Sequence, residues 1–166
     1  MFKTRDFYLK KVYSVEGKKI GVIEDLYIDF YFGKIIGFEV SNHALFSKKN
    51  YVGIEEIIDI GEDMIISNIN KGAGLKFKYI KDMDIIDTSG NVKGVLEDII
   101  IDRQDYSIKG KVITSGLLDK MIKGKEIILI NRCILGEEYI LYTGNDGVLF
   151  KSMPHNMEKQ NAFKKA

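Results

Sequence analysis

The sequence predicts an all-β chain of two tandem small β-barrels packed together, with a short helical turn in each. Three observations predict it. Residues 21–29 (GVIEDLYID) return as residues 94–102 (GVLEDIIID) at a constant offset of 73. At the same offset Gly17 meets Gly90, Ile35 meets Ile108 and Gly37 meets Gly110. A repeat of this length sets the folding unit. Second, short β-branched and aromatic runs are bounded by Gly, Asn, Asp and Ser clusters, the pattern of strands and tight turns. Third, no long amphipathic helix interrupts them, which favours closed or half-closed barrels.

In order along the chain, the first copy reads as strands at 11–14, 21–29, 34–41, 51–53 and 64–69, with turns at 16–19, 30–33 and 61–63. Residues 54–58 (IEEII) read as one helical turn with Glu55 and Glu56 outward. The second copy reads as strands at 84–87, 94–102, 107–115, 126–130 and 139–142. Its last turn, at 136–138, aligns with 61–63 at an offset of 75, so two residues enter after the third strand. Insertions of this kind sit in loops, here 42–50 against 116–125. Runs such as 99–101 and 127–130 lack polar alternation, as expected of strands covered on both faces. Residues 70–74 (NKGAG) read as a linker, giving domains at 1–74 and 75–150. The remainder, 151–166, has no periodicity and reads as a tail that is frayed or ordered by a partner.

Composition narrows the function classes. Each copy alone would bury only about 60% of its unfolded surface, so docking of the copies is expected. The 25 basic and 24 acidic residues leave a net charge of +1, without the basic excess that marks a duplex nucleic-acid binder. The single cysteine, Cys133, precludes an intrachain disulfide and fits a reducing compartment. The N-terminus carries no signal-peptide pattern, and no apolar run reaches the ~18 residues of a membrane span. Abundant Ile and Lys with one Pro and no Trp suit an AT-rich bacterial genome. A bacterial cytoplasmic protein is expected.

Laid out this way, both copies resemble the PRC-barrel family, whose run is a glycine-bearing turn, then G-x-[VI]-x-D-[LIV]-x-[LIV]-D, a short turn and a second apolar strand. The first copy carries it as Gly17, Gly21, Ile23, Asp25, Leu26, Ile28 and Asp29, and the second as Gly90, Gly94, Leu96, Asp98, Ile99, Ile101 and Asp102. Residues 44–57 are similar to the family's segment leading into its fourth strand, although the proline common near Gly53 is missing. The resemblance covers about residues 5–145 and implies two PRC-type barrels. It further implies adaptor or assembly roles, as in the photosynthetic reaction-centre H subunit and the C-terminal domain of the ribosome-maturation factor RimM. Catalysis by the barrel is not implied.

The residues themselves offer little chemistry. Glu24, Asp25 and Asp29, echoed by Glu97, Asp98 and Asp102, are carboxylates that Ca²⁺ or Mg²⁺ could gather. On a strand, however, adjacent residues face opposite ways, and Asp29 lies about 13 Å from Asp25. The structural reading is therefore preferred. Asp29 and Asp102 open hairpin turns, Asp25 and Asp98 bond a neighbouring backbone, and Gly21 and Gly94 belong to the same strands. His43 and His155 have no partner in sequence that would make a triad, and Cys133 in RCIL reads as a buried, inert thiol. No phosphate-cradle motif occurs. No cofactor, metal or enzymatic activity is expected.

Aromatics are the remaining lead. Phe30, Tyr31 and Phe32 occupy a turn where polar residues are expected, and the second copy has Arg103, Gln104 and Asp105 there. Three in a row cannot all enter one small barrel, so at least one is exposed or seals the contact between copies. Phe46 beside Lys48 and Lys49 is the second candidate, either as a loop staple or as a stacking platform for single-stranded RNA. The expected function is a non-enzymatic adaptor binding another protein, with a second copy of the chain also a possible partner. The alternative is an RNA-processing or ribosome-assembly factor.

Overall fold

A computed structural model describes residues 1–42, 50–114, 126–128 and 132–144. These residues form an all-β arrangement with two sheets of seven strands each. The first copy supplies β1 (Phe2–Lys3), β2 (Lys11–Ser14), β3 (Lys19–Asp29), β4 (Lys34–Ser41), β5 (Asn50–Gly53), β6 (Ile57–Ile60) and β7 (Met64–Ile66). The second supplies β8 (Leu75–Lys76), the four-residue helix α1 (Phe77–Ile80), β9 (Asp84–Asp87), β10 (Val92–Ile101), β11 (Ile108–Thr114), β12 (Glu126–Ile128), β13 (Cys133–Leu135) and β14 (Tyr139–Tyr142).

The sheet orders are β5-β4-β3-β2-β7-β6 and β12-β11-β10-β9-β14-β13, the same arrangement in both copies. Each contains one parallel pair, β2 with β7 and β9 with β14. The expected helical turn at 54–58 is shorter than its pattern suggested. A 3₁₀ turn covers Ile54–Glu56, and the chain then runs into β6. Glu55 is exposed, and the half-buried Glu56 carboxylate takes hydrogen bonds from the Ser67 hydroxyl and the Asn70 amide (3.0 Å).

The repeat governs the backbone beyond its sequence identity. Leu9 and Asp82, 73 apart, both adopt positive φ (62° and 65°), and so do Gly33 and Tyr106 (63° and 55°). Leu9 N–H donates to the Ile23 carbonyl as Asp82 N–H donates to that of Leu96. Gly21 and Gly94 are glycines for a steric reason. A Cβ on Gly21 would strike the Ser41 carbonyl of the paired strand, and one on Gly94 would lie 2.5 Å from that of Thr114.

The leading segment of each copy crosses to the other. Phe2 and Lys3 pair with Ile101 and Ile100 of β10, while Leu75 and Lys76 pair with Ile28 and Tyr27 of β3. Both registers are the same at the offset of 73, the reciprocity expected of an isologous contact. The compact units therefore cut across the repeat. One holds Met1–Lys81 with Asp98–Gly110, and the other holds Asp82–Glu97 with the described residues from Lys111 onward. The first is cored by Phe7, Ile23, Leu26, Phe38, Phe77 and Ile99, and the second by Ile85, Leu96, Val112, Ile128, Ile140 and Tyr142. Residues 70–74 are held against the first unit. Asn70 N–H donates to the Tyr51 carbonyl (2.9 Å), and Gly72 packs so closely on the Tyr51 ring that no Cβ fits.

Candidate functional site

The turn after β3 is built by Asp29. Its Oδ1 accepts the N–H groups of Tyr31 (3.1 Å) and Phe32 (2.9 Å), a side-chain mimic of a backbone turn. Asp102 accepts that of Gln104 (2.8 Å) at the equivalent place. The three aromatics divide. Phe30 is 5% exposed and belongs to the core, whereas Tyr31 and Phe32 are 79% and 83% exposed. The base of this turn is fixed from outside its own copy. Ile35 N–H donates to the Tyr106 carbonyl (3.0 Å), and Ile108 N–H donates to that of Gly33 (2.6 Å), again reciprocally. Two apolar rings are thus displayed on a pinned hairpin. The second copy presents Gln104 and Asp105 instead, while Arg103 lies over the Phe2 ring at 4.6 Å.

The motif aspartates fasten the crossing segments. Asp98 Oδ1 accepts the Thr4 N–H (3.1 Å), the Thr4 hydroxyl (2.7 Å) and the Ile99 N–H (2.8 Å). Asp25 Oδ1 accepts the N–H groups of Leu26 (2.9 Å) and of Lys78 in α1 (3.4 Å). Burial raises the Asp25 carboxyl above its ordinary range, against the lowering by those amides and the Lys78 charge. The Tyr8 phenol is pushed up to about 12, first by burial and then by Asp25 and Asp98. Glu24 is hydrogen bonded to the Ser41 hydroxyl. Each acidic residue of the first trio is thereby given a different structural task.

A buried ionic cluster escaped the sequence reading. Glu39 on β4 is fully buried and pairs with Lys76 and, at 3.8 Å, with Lys78, which also lies 3.9 Å from Asp25. The Tyr27 hydroxyl reaches Glu39 at 3.4 Å. The signal was a carboxylate inside the strand KIIGFEVS at a place where the repeat offset gives Val112 in the other copy. Its lysines come from the crossing segment, which no local pattern links to β4. Beside it, Tyr27, Tyr51, Asn50, Asn70 and Lys71 line an open groove of about 570 Å³.

Cys133 is half-buried rather than sealed, and it touches Lys111, which is 1% exposed. Phe46, Lys48, Lys49, His43 and His155 lie outside the described residues. Among the described residues, no cluster of three or more His, Cys, Asp or Glu side chains is placed to hold a metal ion. No helix among them is long and apolar enough to cross a membrane. Compared with known families, residues 1–74 match the model of the PRC-barrel domain. No curated protein matches the chain.

Proposed function

We propose, from the match of residues 1–74 to the PRC-barrel domain model, that the chain is a non-enzymatic adaptor that captures a protein partner on the Tyr31–Phe32 hairpin tip. The observation that carries this reading is the exposure of two adjacent rings on a turn pinned at Asp29 and at the Ile35–Tyr106 bond. A turn held this way has little backbone freedom left to lose on binding, which favours the aromatic residues it carries as interface anchors.

The test exchanges Tyr31→Gln and Phe32→Asp, the residues of the second copy, and leaves the core residue Phe30 alone. Affinity capture from the native organism should lose its partner with this variant while the unfolding midpoint stays in place. Retention of the same partner would remove the tip from the interface. Salt-sensitive co-sedimentation with ribosomal particles would move the assignment to ribosome assembly instead.

A further inference from the structure

The residues of the groove beside the buried ionic cluster belong to the first copy alone. Its ladder pairs Glu39 with Tyr51 and Val40 with Asn50, where the second copy pairs Val112 with Ile127 and Ile113 with Glu126. Tyr27, opposite Lys76 of the crossing strand, stands where Ile100 stands opposite Lys3. The Asn-Lys-Gly of residues 70–72 returns as Asn-Asp-Gly at 145–147, at the offset of 75 that relates 61–63 to 136–138. The second copy thus has aliphatic side chains for two tyrosines and a glutamate, and acids for Asn50 and Lys71.

The second copy forms the same sheet order without any of these five side chains. Burying Glu39 costs desolvation that Val112 avoids, so the fold alone does not account for it. What the cluster does is fix the tyrosines. The Tyr27 hydroxyl donates to Glu39 at 3.4 Å, and the Lys76 ammonium lies 5.4 Å from the centre of the Tyr27 ring. The Tyr51 ring meets that of Tyr27 edge to face at 5.1 Å, and its hydroxyl donates to the Ile36 carbonyl (2.7 Å). Gly37 and Gly72 lie so close to the Tyr51 ring that neither has room for a Cβ. Walls held this firmly make a preformed site.

The groove, about 570 Å³, has the size of a small-molecule site. Both tyrosine hydroxyls donate within the protein, and the Asn70 amide donates to Glu56 (3.0 Å). The donors left on the rim are the exposed Lys71 ammonium and the half-buried Asn50 amide. No carboxylate is among the described residues that line the groove. Tyr51 and Ile69, the latter 36% exposed, add apolar surface.

We infer that this groove binds a carboxylate carried on a small apolar body, with the anion on Lys71 and Asn50 and the body against Tyr51 and Ile69. One ammonium beside one amide matches the single charge and two acceptor oxygens of a carboxylate. A phosphate is better met by a guanidinium fork, and no arginine lines the groove among the described residues. Glu126 and Asp146 at the equivalent places would repel either anion, which confines the site to the first copy. A free organic acid and the C-terminal end of a peptide offer the same chemistry, and the test separates them.

The folded full-length chain is titrated with phenylacetate while its amide resonances are followed by NMR. Saturable shifts are expected at Tyr51, Lys71 and Gly72. Phenylacetamide, the same body without the charge, should bind about tenfold more weakly, the scale of one hydrogen bond to an ionised group. Lys71→Asp, at an exposed position, should weaken phenylacetate by at least about as much. A tripeptide ending in phenylalanine presents the same ring beside a chain-end carboxylate. Tighter binding of the tripeptide than of phenylacetate assigns the groove to chain ends, and weaker binding assigns it to free acids. Equal binding of phenylacetamide, tighter binding of phenyl phosphate, or no shift at millimolar phenylacetate would each overturn the inference. These readouts on the unmutated chain stand whatever the variant does.

Discussion

The carboxylate of Asp98 holds both the backbone and the hydroxyl of Thr4, 94 residues away in the chain. With its bond to Ile99 N–H, three hydrogen bonds converge on one oxygen. Asp98→Ala should therefore lower stability by roughly 2–3 kcal/mol, the scale of bonds to an ionised acceptor. Thr4→Val, which removes only the hydroxyl, should cost about 1 kcal/mol. Urea unfolding measures both. Amide exchange at Thr4 should quicken in the Asp98 variant ahead of exchange in the β3–β4 ladder.

Lys111 makes stability depend on pH in a definite direction. Its proton affinity falls from the ordinary 10.5 to about 8 on folding. The unfolded chain then binds more protons through that window, so stability rises as pH climbs from about 8 towards 10.5. Below about 8 the full penalty applies. Lys111→Met should therefore be more stable than the parent at pH 7, by roughly 1–3 kcal/mol. The gap between the two should narrow near pH 10, a difference that urea titrations at both pH values would read directly.

Leu9 is exposed and left-handed (φ 62°), a conformation that costs a residue with a Cβ about 1–2 kcal/mol. Leu9→Gly removes this strain and gives back part of it to the entropy of the unfolded chain. A net gain of about 0.5–1 kcal/mol in thermal or urea unfolding is expected. Asp82, its counterpart, already tolerates this region better, so Asp82→Gly should gain less.

Gly94→Ala would drive a methyl against the Thr114 carbonyl and the Ile113 side chain at 2.5 and 2.7 Å. A loss of about 1–3 kcal/mol is expected from the forced shift. Ala at Gly90, which has open space around it but a φ of +83°, should cost only the backbone strain, about 1–2 kcal/mol. Gly94 also has a positive φ (147°), so the excess of its loss over that at Gly90 reports the crowding.

Most of the strands were legible because each is long enough to show its pattern twice. The two copies confirmed each other at β2 and β9, β3 and β10, and β4 and β11. The exchanged strands β1 and β8 were not legible. Two residues have no periodicity, and Phe2–Lys3 becomes a strand only because β10 extends past the end of β9 and leaves an edge to fill. β13 was missed for a related reason, since Cys133–Leu135 is only three residues long. Among the candidate site residues, Asp29 and Asp102 could be placed from turn chemistry alone. The split of Phe30 from Tyr31 and Phe32 could not, because which ring turns inward depends on the twist of the hairpin.

By itself the sequence determined the all-β class, the duplication and the place where the copies part, since these rest on residue types and on an offset that needs no coordinates. Only the tertiary structure decided that each copy lends its first strand to the other, that Glu39 meets Lys76 and Lys78, and that Lys111 meets Cys133. The reason is physical. Local pattern reports which face of a strand is apolar, whereas a strand edge and a buried charge are completed by whatever distant segment folding brings to them.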